Sequence, residues 1–189
     1  AEVMVKDGRV DYDNTPHCVI AVFDRYTGKA NRMLGLTDGP DFIKEGAVAC
    51  TYAHDHHNLL VAGKTAAECQ LAANWVIAHQ GGYCMVEHGE IVATLPLEVG
   101  GIVSEAPLAD MAVKAKAIPE TFERMGYQFE NPIMSFSVLG LSVAPFLRIT
   151  DKGVFLEDNS ADRARIERGA KLRAATAVLI KPNQIGTLT

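Results

Sequence analysis

The stretch Ala47-Val48-Ala49-Cys50-Thr51-Tyr52-Ala53-His54-Asp55-His56-His57-Asn58-Leu59-Leu60-Val61-Ala62 consists of an apolar run, a polar hexapeptide and a second apolar run. The flanking runs, 47–52 and 59–62, are short and uncharged, which predicts two buried strands. Ala53 to Asn58 then falls at an exposed connection, where functional side chains concentrate. It holds three imidazoles and a carboxylate, groups that bind divalent metals and move protons near neutral pH. Neighbours on an extended strand point to opposite faces, so His54 and His56 can serve one ion, whereas His56 and His57 need a turn to do so. Catalytic metal sites usually take three protein ligands. Spacing alone therefore leaves two readings open, a site and a polar surface turn.

Outward from this segment the pattern continues as short strands and helices. His17 to Asp24 is a dense apolar run with β-branched residues, another buried strand by type. Thr27 to Pro40 carries three glycines and mixed charge, and reads as an irregular connection. Thr65 with Glu68 forms a capping-box signature for a helix that runs to Gln80 and stops at Gly81-Gly82. Leu71, Trp75 and Ala78 share one face of it, which places the lone tryptophan in the core. Tyr83 to Glu87 and Glu90 to Leu95 flank His88-Gly89, a two-residue hairpin connection. Pro107 to Met125 fits a second helix with a kink or break at Pro119. Asn131 to Leu147 is a long apolar stretch interrupted by Pro132, Gly140 and Pro145. Its serines at 135, 137 and 142 read as partners of local backbone groups rather than nucleophiles, and no G-x-S-x-G elbow is present. The fold class is α/β or α+β, with a mixed β-sheet and helices packed on it.

Composition bounds the partners. The 189 residues suit one domain, or one domain with an appendage, and suffice for a core. With 48% hydrophobic and 22% charged residues the chain reads as globular. A net charge of −5 without a basic stripe argues against nucleic acid. No stretch approaches the ~20 apolar residues of a membrane span. The opening residues Ala1 to Gly8 lack the layout of a signal peptide, and a start at Ala1 suits a segment of a longer chain. Cys18, Cys50, Cys69 and Cys84 have no C-x-x-C spacing, which fits reduced, packed thiols in a cytoplasmic protein.

From His17 to Gly153 a series of landmarks runs in order: Asp24-Arg25, Lys44-Glu45-Gly46-Ala47-Val48-Ala49, Ala53-His54-Asp55-His56-His57-Asn58, Leu60-Val61-Ala62-Gly63, Gly81-Gly82, Leu95-Pro96-Leu97, Gly101-Ile102-Val103-Ser104, Asn131-Pro132-Ile133-Met134 and Leu147-Arg148-Ile149-Thr150-Asp151-Lys152-Gly153. In this order they resemble the C-terminal domain of adenine deaminases, relatives of the amidohydrolases. That family usually carries A-H-D-S-H-N at the cluster, so His54, Asp55, His57 and Asn58 match and His56 stands where the family has serine. The loop Tyr26 to Arg32 is also poorer in glycine than the family's.

The resemblance implies hydrolytic deamination of adenine, or a related purine, to hypoxanthine and ammonia. It implies a manganese or iron centre that makes hydroxide available near neutral pH, held mainly in an N-terminal amidohydrolase barrel supplied in cis or in trans. None of that barrel's metal-binding motifs occurs here, so the chain alone is expected to be inactive. His54, Asp55 and His57 are then expected to line the adenine pocket or the layer behind it, with Asn58, Asp24 and Arg25 as substrate contacts. Two other classes stay open. One is a self-contained metal-binding module using His54 and His56. The other is a structural or homo-oligomerisation module.

Phe155 to Thr189 instead resembles a piece of enolase. It ends in Leu179-Ile180-Lys181-Pro182-Asn183-Gln184-Ile185-Gly186-Thr187-Leu188-Thr189, where the family's lysine is the catalytic base and Lys181 is its match. Val154 to Leu156, Ala161 to Arg173 and Ala177 to Ile180 suit a strand–helix–strand unit. One such unit cannot close an eight-stranded barrel, so an enolase-type lyase is a distant alternative and Lys181 a lysine without its site. The expected division is a body, 1–153, and an appendage, 154–189.

Overall fold

The structure, a computed structural model, describes residues 5–11, 15–37, 42–144 and 146–157, together with 168 and 171. Its elements are β1 (Val5–Lys6), β2 (Arg9–Val10), β3 (Val19–Phe23), β4 (Arg32–Leu36), β5 (Ala47–Cys50), β6 (Leu59–Gly63), α1 (Ala66–Ala78), β7 (Gly82–Glu87), β8 (Glu90–Pro96), α2 (Leu108–Arg124), α3 (Pro132–Ser137), β9 (Phe146–Thr150) and β10 (Gly153–Glu157). Six strands form one sheet in the order β4-β3-β6-β5-β7-β8, with every pairing antiparallel. With helices on both faces of that sheet, this is the α+β member of the two expected classes.

The strands around the histidine segment are apolar throughout because both faces are covered. Val48, Cys50, Leu60, Ala62, Tyr83 and Met85 point into one core, shared with Ile118 and Phe122 of α2 and Phe136 of α3. The intervening residues Ala49, Leu59, Val61, Cys84 and Val86 point into the other, closed by Ala72 and Val76 of α1. Period-two alternation therefore sorts side chains between two cores rather than between core and water. The cysteines are free, and Cys18, Cys50 and Cys84 are buried. Among the described residues no helix is long and apolar enough to cross a membrane.

Several elements differ from the sequence-based expectation. Within the stretch read as irregular, Arg32–Leu36 pairs with β3 as an edge strand of alternating exposure. On α1 the fully buried residues are Ala72 and Val76; Leu71 and Trp75 pack against that core as expected but are only partly buried, Trp75 also stacking on His79 with ring centroids 3.9 Å apart, and Ala78 is exposed. Small residues face the sheet there because the helix lies close over β5 and β7. Helix α2 runs unbroken through Pro119, the burial of Ile118, Thr121 and Phe122 outweighing the cost of about 3 kcal/mol that an interior proline imposes through its missing N–H and its ring clash. The strand expected at Val154 to Leu156 is present as β10, paired antiparallel with β9 across Asp151-Lys152. Arg168 and Lys171 are helical. Lys181 and the expected strand at Ala177 to Ile180 lie outside the described residues.

Candidate functional site

Antiparallel register brings the C-terminal ends of β3 and β5 beside the N-terminal ends of β6 and β7. The histidine segment turns at this end of the sheet. Its peptide bond between His54 and Asp55 is cis, and His57 is left-handed at φ 46°. The N–H of His57 donates back to the Ala53 carbonyl at 2.6 Å, which closes the turn. Asp55 is exposed, while His54, His56 and His57 are partly buried.

The three imidazoles have separate surroundings. His54 lies edge-on to Tyr52, with ring centroids 4.9 Å apart, and its Nδ1 is 3.0 Å from the Ser137 hydroxyl. Ser137 is presented by α3, whose Phe136 is seated among Phe42, Phe122 and Tyr127. The Tyr83 hydroxyl also ties this helix to the sheet by donating to the Ile133 carbonyl at 3.2 Å. His56 turns elsewhere. Its Nδ1 accepts the Asn58 N–H at 2.9 Å, and its Nε2 is buried without a partner against Gly140. Burial pushes its pKa down, ahead of the opposing Asp151 carboxylate. His57 packs 5.6 Å from the His54 ring with its Nδ1 buried and unpaired, while its carbonyl accepts the Tyr26 hydroxyl at 3.1 Å.

Asn58 joins three segments. It is 4% exposed, accepts the Arg25 N–H at 3.3 Å and donates from Nδ2 to the Asp151 carboxylate at 2.9 Å. Arg25 continues outward, donating from Nη2 to the Gly100 carbonyl at 2.7 Å. Its guanidinium fills the space where a Cβ at Gly101 would sit, and Gly101 has φ +78°. A side chain there would displace Arg25 and strain the backbone. Thr51 fastens the same loop, donating to the Gly101 carbonyl at 2.7 Å while accepting the Gly82 N–H at 2.8 Å. Asp24 is spent on its own turn. Its carboxylate accepts from the Thr27 hydroxyl and from the N–H groups of Tyr26 and Thr27, and these bonds, Thr27's hydroxyl foremost, hold its pKa down.

The structure therefore gathers His54, Asp55, His56, His57, Asn58, Asp24 and Arg25 at one end of the sheet. It adds two residues that the sequence analysis named but did not place in the site, Ser137 and Asp151, which lie 83 and 93 positions from their partners; the Ser137 hydroxyl also lies 2.9 Å from the Met134 carbonyl oxygen, the local backbone partner expected of it. The geometry does not favour a metal centre. Among the described residues no three His, Cys, Asp or Glu side chains are grouped to hold an ion. The turn sends His54 towards Ser137 and His56 towards Asn58 and Gly140, rather than both towards one ion.

Comparison with known proteins gives the family. Residues 1–160 match the family model for the adenine deaminase C-terminal domain. The chain is 46% identical over 157 residues to adenine deaminase 2 of Shouchella clausii, covering 83% of this chain and 27% of that protein. It is 43% identical over 145 residues to an adenine deaminase of Clostridium perfringens, covering 77% and 25%. For an adenine deaminase of Moorella thermoacetica the identity is 37% over 135 residues, covering 71% and 22%. The chain thus spans about a quarter of the length of the curated relatives it matches. It belongs to the adenine deaminase C-terminal domain family.

Proposed function

We propose that this chain serves the hydrolytic deamination of adenine as the C-terminal part of a cytoplasmic deaminase, and is inactive without the rest of it. In the overall reaction water adds at the amine-bearing carbon, the carbon–nitrogen bond breaks, and hypoxanthine and ammonia leave. The described residues do not fit a metal centre, so the manganese or iron that the family implies is assigned to an amidohydrolase barrel outside this chain. What remains for the domain is to shape and polarise the purine pocket. His54 offers a ring nitrogen and Asp55 an exposed carboxylate. His57 supports the His54 ring, and Asn58 locks the turn to Arg25 and Asp151.

One observation carries this reading. Four of the landmarks shared with adenine deaminases, at residues 24–25, 53–58, 131–134 and 147–153, are far apart in sequence and converge on one end of the sheet. The test is a full-length adenine deaminase carrying this domain, with His54→Ala and Asn58→Ala variants assayed on adenine. A fall in kcat/KM of about tenfold or more, equivalent to about 1.4 kcal/mol of transition-state stabilisation, is expected with an unchanged circular dichroism spectrum. Unchanged kcat/KM in the His54→Ala variant would overturn the proposal.

A further inference from the structure

The hydrogen bonds around Ser137 decide where His54 carries its proton. Ser137 is fully buried. Its hydroxyl oxygen lies 2.9 Å from the Met134 carbonyl oxygen, one turn back in α3, and 3.0 Å from His54 Nδ1. A hydroxyl has one proton to give. A carbonyl oxygen can only accept, so donation to Met134 leaves Ser137 Oγ as an acceptor towards His54, and Nδ1 must then be the donor. In the opposite arrangement the hydroxyl donates to Nδ1. Ser137 Oγ and Met134 O then face each other at 2.9 Å with no proton between them, while the Val138 N–H already occupies one side of that carbonyl. That arrangement loses a buried hydrogen bond and adds a lone-pair contact.

We propose that Ser137 is a positioning residue that fixes neutral His54 as its Nδ1–H tautomer, so that Nε2 presents a lone pair and no proton. Among the described residues none bonds Nε2, and the edge-on Tyr52 and the neighbouring His57 hold the ring plane. The consequence is selectivity. A lone pair at Nε2 receives an N–H donor and repels a carbonyl oxygen. On the deaminase reading above, it accepts from the exocyclic amine of adenine and disfavours the oxo group that replaces that amine in the product. His56 is set the other way, with Nδ1 accepting from Asn58 N–H and the proton on Nε2 against Gly140. The two rings of one turn are thus fixed as opposite tautomers.

The test is long-range proton–nitrogen NMR of the full chain with labelled histidine, in mildly alkaline buffer, with His54→Gln to assign the signals. Expected are a protonated Nδ1 and a bare Nε2 at His54, and the converse at His56. In Ser137→Ala the Nε2–H form favoured by free histidine should become the major one at His54. A proton on Nε2 of His54 in the parent chain would overturn the proposal, even if the alanine variant failed to fold. So would an alanine variant that folds and keeps Nδ1–H. In the full-length enzyme, Ser137→Ala should lower the ratio of hypoxanthine Ki to adenine KM by about tenfold, the worth of one misdirected hydrogen bond. An unchanged ratio with the tautomer altered would refute the selectivity. Should His54→Ala leave deamination intact while the parent spectrum shows Nδ1–H, the deaminase reading would fail and the tautomer assignment would stand.

Discussion

Replacing Gly140 by alanine places a methyl group where the His56 ring lies. An added Cβ would sit 1.9 Å from Nε2, 2.9 Å from Cδ2 and 3.0 Å from Cε1. The ring has to move, and moving it breaks the bond between Nδ1 and the Asn58 N–H. Overpacking costs about 1–3 kcal/mol, and the hydrogen bond adds about 0.5–1.5 kcal/mol. The reduced entropy of the unfolded alanine chain returns about 0.4–1 kcal/mol. A net destabilisation of about 2 kcal/mol follows, a Tm lowered by about 4–8 °C for a domain of this size. In His56→Ala the obstructing ring is gone, so Gly140→Ala on that background should cost about 1–2 kcal/mol less than it does alone. Urea unfolding of the four proteins measures the cycle, provided that m is unchanged. Additive effects, or a Gly140→Ala variant within about 0.5 kcal/mol of the parent, would refute this account of His56.

Other perturbations probe the same arrangement. Asp151→Ala leaves the buried Asn58 Nδ2 without its acceptor and should destabilise by about 1–3 kcal/mol, whereas Asp151→Asn keeps an oxygen there and should cost less than half as much in urea unfolding. Burial pushes the thiols of Cys50 and Cys84 up to about 12 from 9.0. Above pH 9.0 the unfolded chain loses protons that the folded chain keeps, so stability should be intact below that value and fall as pH climbs towards about 12, by at most about 1.4 kcal/mol per pH unit per thiol. Cys84→Ala should make that decline shallower, and an unchanged slope would show that the thiol does not contribute. His56 is displaced downwards by burial from 6.5. Its contribution should therefore be present above pH 6.5 and be lost as pH falls below it, since the unfolded chain takes the proton first. The difference in stability between parent and His56→Asn, measured from neutral to acid pH, isolates that contribution, and a difference that does not narrow on acidification would contradict it.

How much of this was legible in the sequence depended on the range of the interactions. The strands on either side of the histidine turn were readable because burial on both faces leaves an uninterrupted apolar run, as in 47–50 and 59–62. The helix cap at Thr65 and the hairpin at His88-Gly89 are local signals; the structure contains the hairpin and the Thr65 half of the box, in which the hydroxyl accepts the Glu68 N–H, while the Glu68 carboxylate accepts from the Thr65 hydroxyl and the Gly89 N–H. Strand β4 was missed because an edge strand with alternating exposure and an arginine and a glycine among five residues has little apolar signal. Helix α3 was missed because it is six residues long and begins at Pro132 after a left-handed Asn131. The site was legible in part. The hexapeptide announced itself by composition, but the division of labour among its rings depends on Ser137, Gly140 and Asp151, which only tertiary packing delivers. Strand alternation had paired His54 with His56, and the turn at Ala53–His57 removes that alternation.

Deamination of adenine by the isolated chain, beside the same chain joined to the N-terminal portion of a full-length relative, tests the central claim most directly. Ammonia release with manganese or iron present is the readout for both. The account predicts no turnover by the isolated chain, turnover by the joined protein, and loss of most of it on His54→Ala. Turnover of adenine by the isolated chain, or a joined protein indifferent to His54, would contradict it.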